Sequence, residues 1–112
     1  KESMYVVAVD PVKNQVILGR NEDLFSRELI ANDVNLISVD HIEGEMRVKA
    51  KVRYRHEEQW ATVTQPEPDK IRVVFDEPQR AITCGQAVVL YDGDVVVGGA
   101  TIIETEIAKR YS

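Results

Sequence analysis

The sequence is poor in the residues on which stapled, metal-bound or membrane-spanning chains depend. One cysteine, Cys84, excludes an internal disulfide, and two histidines, His41 and His56, are too few for a structural zinc site of thiolate and imidazole ligands. No apolar run approaches the roughly 18 residues of a membrane helix. The N-terminus has neither the basic start nor the apolar core of a secretory signal. A Gly-rich phosphate loop, a Gly-x-Ser-x-Gly elbow and a Ser, His and Asp set singled out by spacing are also missing. These absences point to a soluble chain, compatible with a reducing cytoplasm and poorly equipped for catalysis on its own. It begins Lys-Glu-Ser, which reads as a piece cut from a longer protein or processed at its start.

What is present is enough for one compact domain: 112 residues, 44% of them hydrophobic. "MYVVAVD", a Pro and Asn cluster, and "QVILG" read as strand, turn and strand. "NEDLFSRELIANDVNLISVD" is open between two readings. Phe25, Leu29 and Ile30 fit a helical stripe, whereas Val34, Leu36 and Ile37 look extended. From Glu45 the alternation is cleaner and gives five strands: "EMRVKAKVRYR", "QWATVTQ", "KIRVVFDEP", "AVVLY" and "DVVVGGATII". Asp92-Gly93 is expected to make a two-residue hairpin of type I′ between the last two. Short strands punctuated by turns predict an all-β fold, a small Greek-key-like antiparallel β-barrel preceded by a β-hairpin.

One strand stands out. In "RVKAKVRYR" the residues Arg47, Lys49, Lys51, Arg53 and Arg55 alternate with Val48, Ala50, Val52 and Tyr54. Side chains two apart share a strand face, so five of the chain's 14 Lys and Arg residues line up on one side. Carboxylates on neighbouring strands, or water, could neutralise such a ladder. Alternatively it is a seat for a phosphate backbone, with steep salt dependence. Tyr54 belongs to the core by alternation but could stack on a base near the strand end. The net charge of -5 does not oppose this, because docking is governed by local charge within a Debye length of about 8 Å.

Other candidates are weaker. Asp40-His41 and His56-Glu57-Glu58 lack the count and spacing of a metal site. Asp76 and Glu77 before Pro78 are expected to end a strand, with Arg80 as a partner for either. Gly98-Gly99 inside an apolar strand marks a bulge or the close approach of another backbone.

"LIANDVNLI", "VRYRHEEQWATV" and "IRVVFDEPQRAITCGQAVVLYDGDVVVGGATI" together resemble the C-terminal region of bacterial tRNA-specific 2-thiouridylases, the MnmA family. The likeness runs from about Tyr5 to Ile103. Its most specific elements are Arg53-Tyr54-Arg55, Phe75-Asp76-Glu77-Pro78, Gly85-Gln86 and Tyr91-Asp92-Gly93 ahead of Gly98-Gly99. Those enzymes use ATP, with magnesium, to activate the wobble uridine of tRNAs for Lys, Glu and Gln, and replace its 2-oxygen with sulfur relayed from a sulfur-carrier protein. The resemblance implies that residues 1-25 end a central domain and that 26-112 form the C-terminal barrel. The nucleotide loop and catalytic cysteines would lie in a separate domain, so this chain would hold no cofactor, catalytic residue or metal.

It further implies RNA contacts at Arg53, Tyr54 and Gln86; Arg55 and Lys51, with Arg47 and Lys49, extend that footprint by alternation. Cys84 stands where the family usually has proline, in a Thr-Pro-Gly-Gln turn, and is expected to be a small buried or half-buried thiol. A barrel that braces the catalytic domain, like the β-barrels of translation factors, is the alternative reading.

Overall fold

In a computed structural model describing residues 5–10, 14–20, 24–52 and 57–110, the chain forms eight strands and one short helix. Strands β1 (Tyr5–Asp10) and β2 (Gln15–Gly19) pair antiparallel as a sheet of their own. The turn before β2 ends on Asn14, whose φ of 54° is a left-handed conformation that Asn tolerates well. Residues 11–13, on which most of the expected Pro and Asn turn cluster falls, lie outside the described residues.

Strands β3 (Phe25–Leu36), β4 (Met46–Lys51), β5 (Gln59–Glu67), β6 (Lys70–Arg80), β7 (Ala87–Asp92) and β8 (Val95–Thr105) close into a barrel. The order is β3-β6-β5-β4-β7-β8, with every neighbouring pair antiparallel and β8 returning to β3. Because β4, β5 and β6 follow as a meander and β3 lies beside β6, this is a Greek-key path. The expected all-β barrel preceded by a hairpin is the fold observed. Closure also leaves none of the six barrel strands as an open edge.

The interior follows from period-two alternation. Val48 and Ala50 of β4, Ala61 and Val63 of β5, and Ile71, Val73 and Phe75 of β6 are buried, while the residues between them point outward. Ile42, before β4, and Ile82, before β7, plug opposite ends of the barrel. The amide of Ile42 donates to Gln65 Oε1 at 2.8 Å, which fixes the first plug.

The open segment after residue 24 is a strand. β3 breaks the supposed helical stripe, putting Leu29 inside and leaving Ile30 half-exposed on the outer face. Its alternation is interrupted where Asp33 adopts φ 51°, and Asp69 Oδ1, in the β5–β6 turn, accepts from the Val34 amide at 2.8 Å. β6 does not stop before Pro78 as expected. It runs to Arg80, with Gln79 and Arg80 still paired to β3.

The β7–β8 hairpin is present, but one residue later than expected. Asp92 pairs with Val95, so the loop residues are Gly93 and Asp94, and only Gly93 has a positive φ, at 62°. A glycine at the first central position alone is the signature of type II′, not type I′. Gly98 is required for close approach: a Cβ there would lie 2.5 Å from the Asn35 carbonyl oxygen of β3. The register shift between Leu90 and Tyr91 supplies the bulge as well.

The chain ends its barrel with helix α1 (Glu106–Arg110), which the sequence reading did not anticipate. Thr105 caps it, its Oγ1 accepting from the Ala108 amide at 3.0 Å, and Ile107 is buried. Among the described residues no helix is long and apolar enough to cross a membrane.

Candidate nucleic-acid interface

Alternation within β4 turns Arg47, Lys49 and Lys51 outward while Val48 and Ala50 go into the core. The first three positions of the expected stripe are therefore on one face. Arg53, Tyr54 and Arg55, with His56, lie outside the described residues, so Lys51 and Gln86 are the candidate contacts whose surroundings can be given.

Arg47 is committed to the protein. Its guanidinium reaches across β5 and clamps both oxygens of Asp76 on β6, Nη1 to Oδ1 and Nη2 to Oδ2 each at 2.7 Å. Nη1 also donates to Thr62 Oγ1 at 2.9 Å. The hydrogen bonds from Arg47 hold the Asp76 carboxyl below the usual carboxylate range, outweighing the opposing effect of desolvation. Asp76 thus pairs with Arg47. At this position the neutralised reading of the stripe is correct.

Two strand positions further on the arrangement changes. Among the described residues no carboxylate pairs with Lys49 or Lys51. Lys49 faces Trp60 of β5 on one side and Tyr91 of β7 on the other. Its Nζ is 5.3 Å from the indole centroid, and the Arg47 guanidinium carbon is 5.5 Å from the same ring. Both distances are within cation–π range. Trp60 is nevertheless 51% exposed. Lys51 lies opposite Val89, so the face runs from Arg47 through a lysine between two aromatic residues to a second lysine.

Sequence reasoning missed Trp60. The signal was there: with Ala61 and Val63 inward, the same alternation sends Trp60 and Thr62 out, onto the side of the basic stripe.

Gln86 belongs to a turn at the barrel end where β4 finishes. Its amide donates to the Thr83 carbonyl at 3.3 Å, and its side-chain Oε1 accepts from the Thr83 amide at 3.0 Å. Gly85 has φ 92°. A Thr83–Gln86 bond around a positive φ at the third residue defines a type II turn, whose second position favours proline. Cys84 occupies that position. Further bonds tie the turn to β8, Gly85 N to Ile102 O at 2.8 Å and Ile102 N to Gln86 O at 2.9 Å. With its oxygen engaged, Gln86 offers its amide nitrogen as a donor. It shares the barrel end with Lys51, but alternation along β7 separates it from the outward row of Val89 and Tyr91.

Cys84 is exposed, contrary to the expectation of a buried or half-buried thiol, because the turn lifts it off the barrel. Partial desolvation and then the Glu104 carboxylate push its thiol pKa up. It is a thiol, not a thiolate, at neutral pH, the opposite of what a reactive cysteine needs. His41 is exposed and bonds Glu43 through Nε2 at 2.8 Å. Among the described residues no group of three or more His, Cys, Asp or Glu side chains is placed to hold a metal ion.

The closed six-stranded antiparallel barrel defines the class of domain, a small all-β barrel. Residues 26–102 match the family model of the aminomethyltransferase β-barrel domain, and the chain belongs to that family. Within it, the chain is similar to the tRNA-specific 2-thiouridylases MnmA. It is 54% identical over 99 residues to those of Clostridioides difficile and Acetivibrio thermocellus, covering 88% of this chain and 27% and 28% of the two proteins. The MnmA of Koribacter versatilis is 50% identical over the same length. The chain thus spans about 27–28% of the curated relatives it matches. The likeness to the MnmA C-terminal region read from the motifs is upheld.

Proposed function

We propose that this chain is the tRNA-holding barrel of an ATP-dependent tRNA 2-thiouridylase, positioning the RNA for wobble-uridine thiolation performed by another domain. The observation that carries the reading is the β4 face, where Lys49 and Lys51 have no carboxylate partner among the described residues and Lys49 lies beside an exposed Trp60. Unpaired cations gain most from phosphate, since they give up no internal partner. Arg53, Tyr54 and Arg55 extend this footprint in the proposal, and Gln86 donates its amide to a phosphate, ribose or base oxygen.

In this reading the barrel begins at residue 26 and residues 1–25 close the preceding domain. The parent enzyme works in the cytoplasm on tRNAs for Lys, Glu and Gln, and takes sulfur from a carrier protein. ATP and its magnesium belong to the catalytic domain.

A bracing role is favoured by a separate observation. Val6, Val16 and Leu18 of the β1–β2 hairpin are all more than half exposed, and a two-stranded sheet is marginal alone. The two roles separate experimentally. Fluorescence anisotropy with labelled tRNA should show weak binding by the chain that falls steeply with salt. No binding even at low salt, together with stabilisation of the separated catalytic domain, would leave bracing as the function.

A further inference from the structure

We propose that the open side of Trp60 is a stacking seat for one unpaired nucleobase, with Lys49 and Lys51 holding the adjoining phosphates. This rests on the RNA-binding reading and adds a residue and a class of RNA to it. The fold gives Trp60 no packing role, because Ala61 and Val63 fill the core on β5 while Trp60 points out. The surroundings nonetheless fix the ring. Arg47, held by Thr62 and Asp76, stands 5.5 Å from the indole centroid and Lys49 Nζ 5.3 Å from it. Half of the residue's surface stays open, enough for one face of the ring to receive a base.

The neighbours select the occupant. Lys49 lies between Trp60 and Tyr91 in the strand register, and Lys51 follows two residues along the same face. A protein partner with an apolar surface would have to cover both unpaired ammonium groups, at a desolvation penalty. A nucleotide supplies a π-face for the ring and an anion for each lysine. The base must be unpaired, because bases inside an A-form helix are stacked on one another and present edges instead of faces.

Trp60 is the only tryptophan of the chain, so indole emission reports this residue alone. The 112-residue chain would be titrated at low salt with single-stranded octauridylate, with a blunt RNA duplex of the same nucleotide content, and with tRNA. Saturable quenching by octauridylate and tRNA, and much less by the duplex, is expected. Trp60→Ala should weaken octauridylate binding by between about fivefold and a hundredfold, the range for loss of one stacked base. Trp60→Phe should stay within about threefold of the parent, because a ring remains. If labelled tRNA binds while Trp60 emission is unchanged and Trp60→Ala binds equally well, the seat is wrong and the RNA-binding reading survives. Should none of the RNAs bind at any salt, both fall.

Discussion

On the β3–β6 side of the barrel Arg72 gives its guanidinium to Glu28, Nε to Oε1 at 2.8 Å and Nη2 to Oε2 at 2.9 Å. Glu106 nearby accepts from the backbone amides of Arg27 and Glu28. On the β4–β5–β7 side Arg47 is likewise closed by Asp76, but Lys49 and Lys51, both partly buried, have no carboxylate partner among the described residues, and Lys49 lies beside the Trp60 indole. The two sides have similar charged residues, and differ in whether the carboxylates lie opposite the cations or elsewhere. A chain of net charge -5 can therefore present one cationic face. Where the charges are closed, the surface serves the fold; where two remain open, it is available to a ligand.

The strongest way to break this comparison is charge reversal. The double change Lys49→Glu and Lys51→Glu should weaken tRNA binding about tenfold or more at low salt and flatten the slope of log affinity against log salt by about one per lost phosphate contact. Swapping the opposite pair, Glu28→Arg with Arg72→Glu, should leave affinity within about twofold, as the swap conserves net charge and lies outside the proposed docking face. Equal losses in the two variants, read by anisotropy, would erase the distinction between the faces.

A smaller effect is expected at Gln86. Gln86→Ala removes one donor and the side-chain brace on Thr83, and should weaken binding roughly two- to tenfold, the worth of one hydrogen bond. An affinity unchanged by this substitution would confine the contact to the outer face.

The Arg47–Asp76 clamp can be tested without RNA. Since the folded-state value of Asp76 is depressed, the clamp's contribution to stability is present above the ordinary carboxylate range and is lost as the pH falls through that depressed value. In Arg47→Met the Asp76 carboxyl, followed by carbon-detected NMR, should titrate higher, in the ordinary range. A titration indifferent to Arg47 would contradict the clamp.

The smallest effects belong to the turn before β7. Cys84→Pro suits the second position of a type II turn and should add roughly 0.4–1 kcal/mol in denaturant unfolding. Neither it nor Cys84→Ser should change RNA binding. Alkylation of Cys84 at neutral pH should be slow for an exposed thiol, because its pKa is raised.

How much of this was legible depended on the range of the interaction. Alternation is local, so Val48 and Ala50 inward and Arg47, Lys49 and Lys51 outward could be read from β4 alone, and Trp60 could have been read from β5. Gly98-Gly99 announced a close approach without naming Asn35 as the neighbour. The ion pair between Arg47 and Asp76 was not legible, because it joins residues 29 positions apart across an intervening strand. The β3 segment was open for a related reason: its burial is set by pairing with β6 and β8, while its own spacing serves a helix equally well. The hairpin turn was placed one residue early because Asp-Gly and Gly-Asp are both turn formers, and strand register decided between them. Cys84 was expected to pack because lone cysteines usually do, and the type II turn that exposes it is held by backbone bonds to β8 that sequence does not display.

In the proposed reading, RNA docks on the β4–β5–β7 face and not on the β3–β6 face. Amide chemical-shift mapping of the isotope-labelled chain with unmodified tRNA tests this directly. Shifts are expected at residues 47–51, 59–62 and 86–91, with residues 27–31, 70–74 and 104–109 unmoved. Shifts concentrated on the second set, with the first set still, would contradict it.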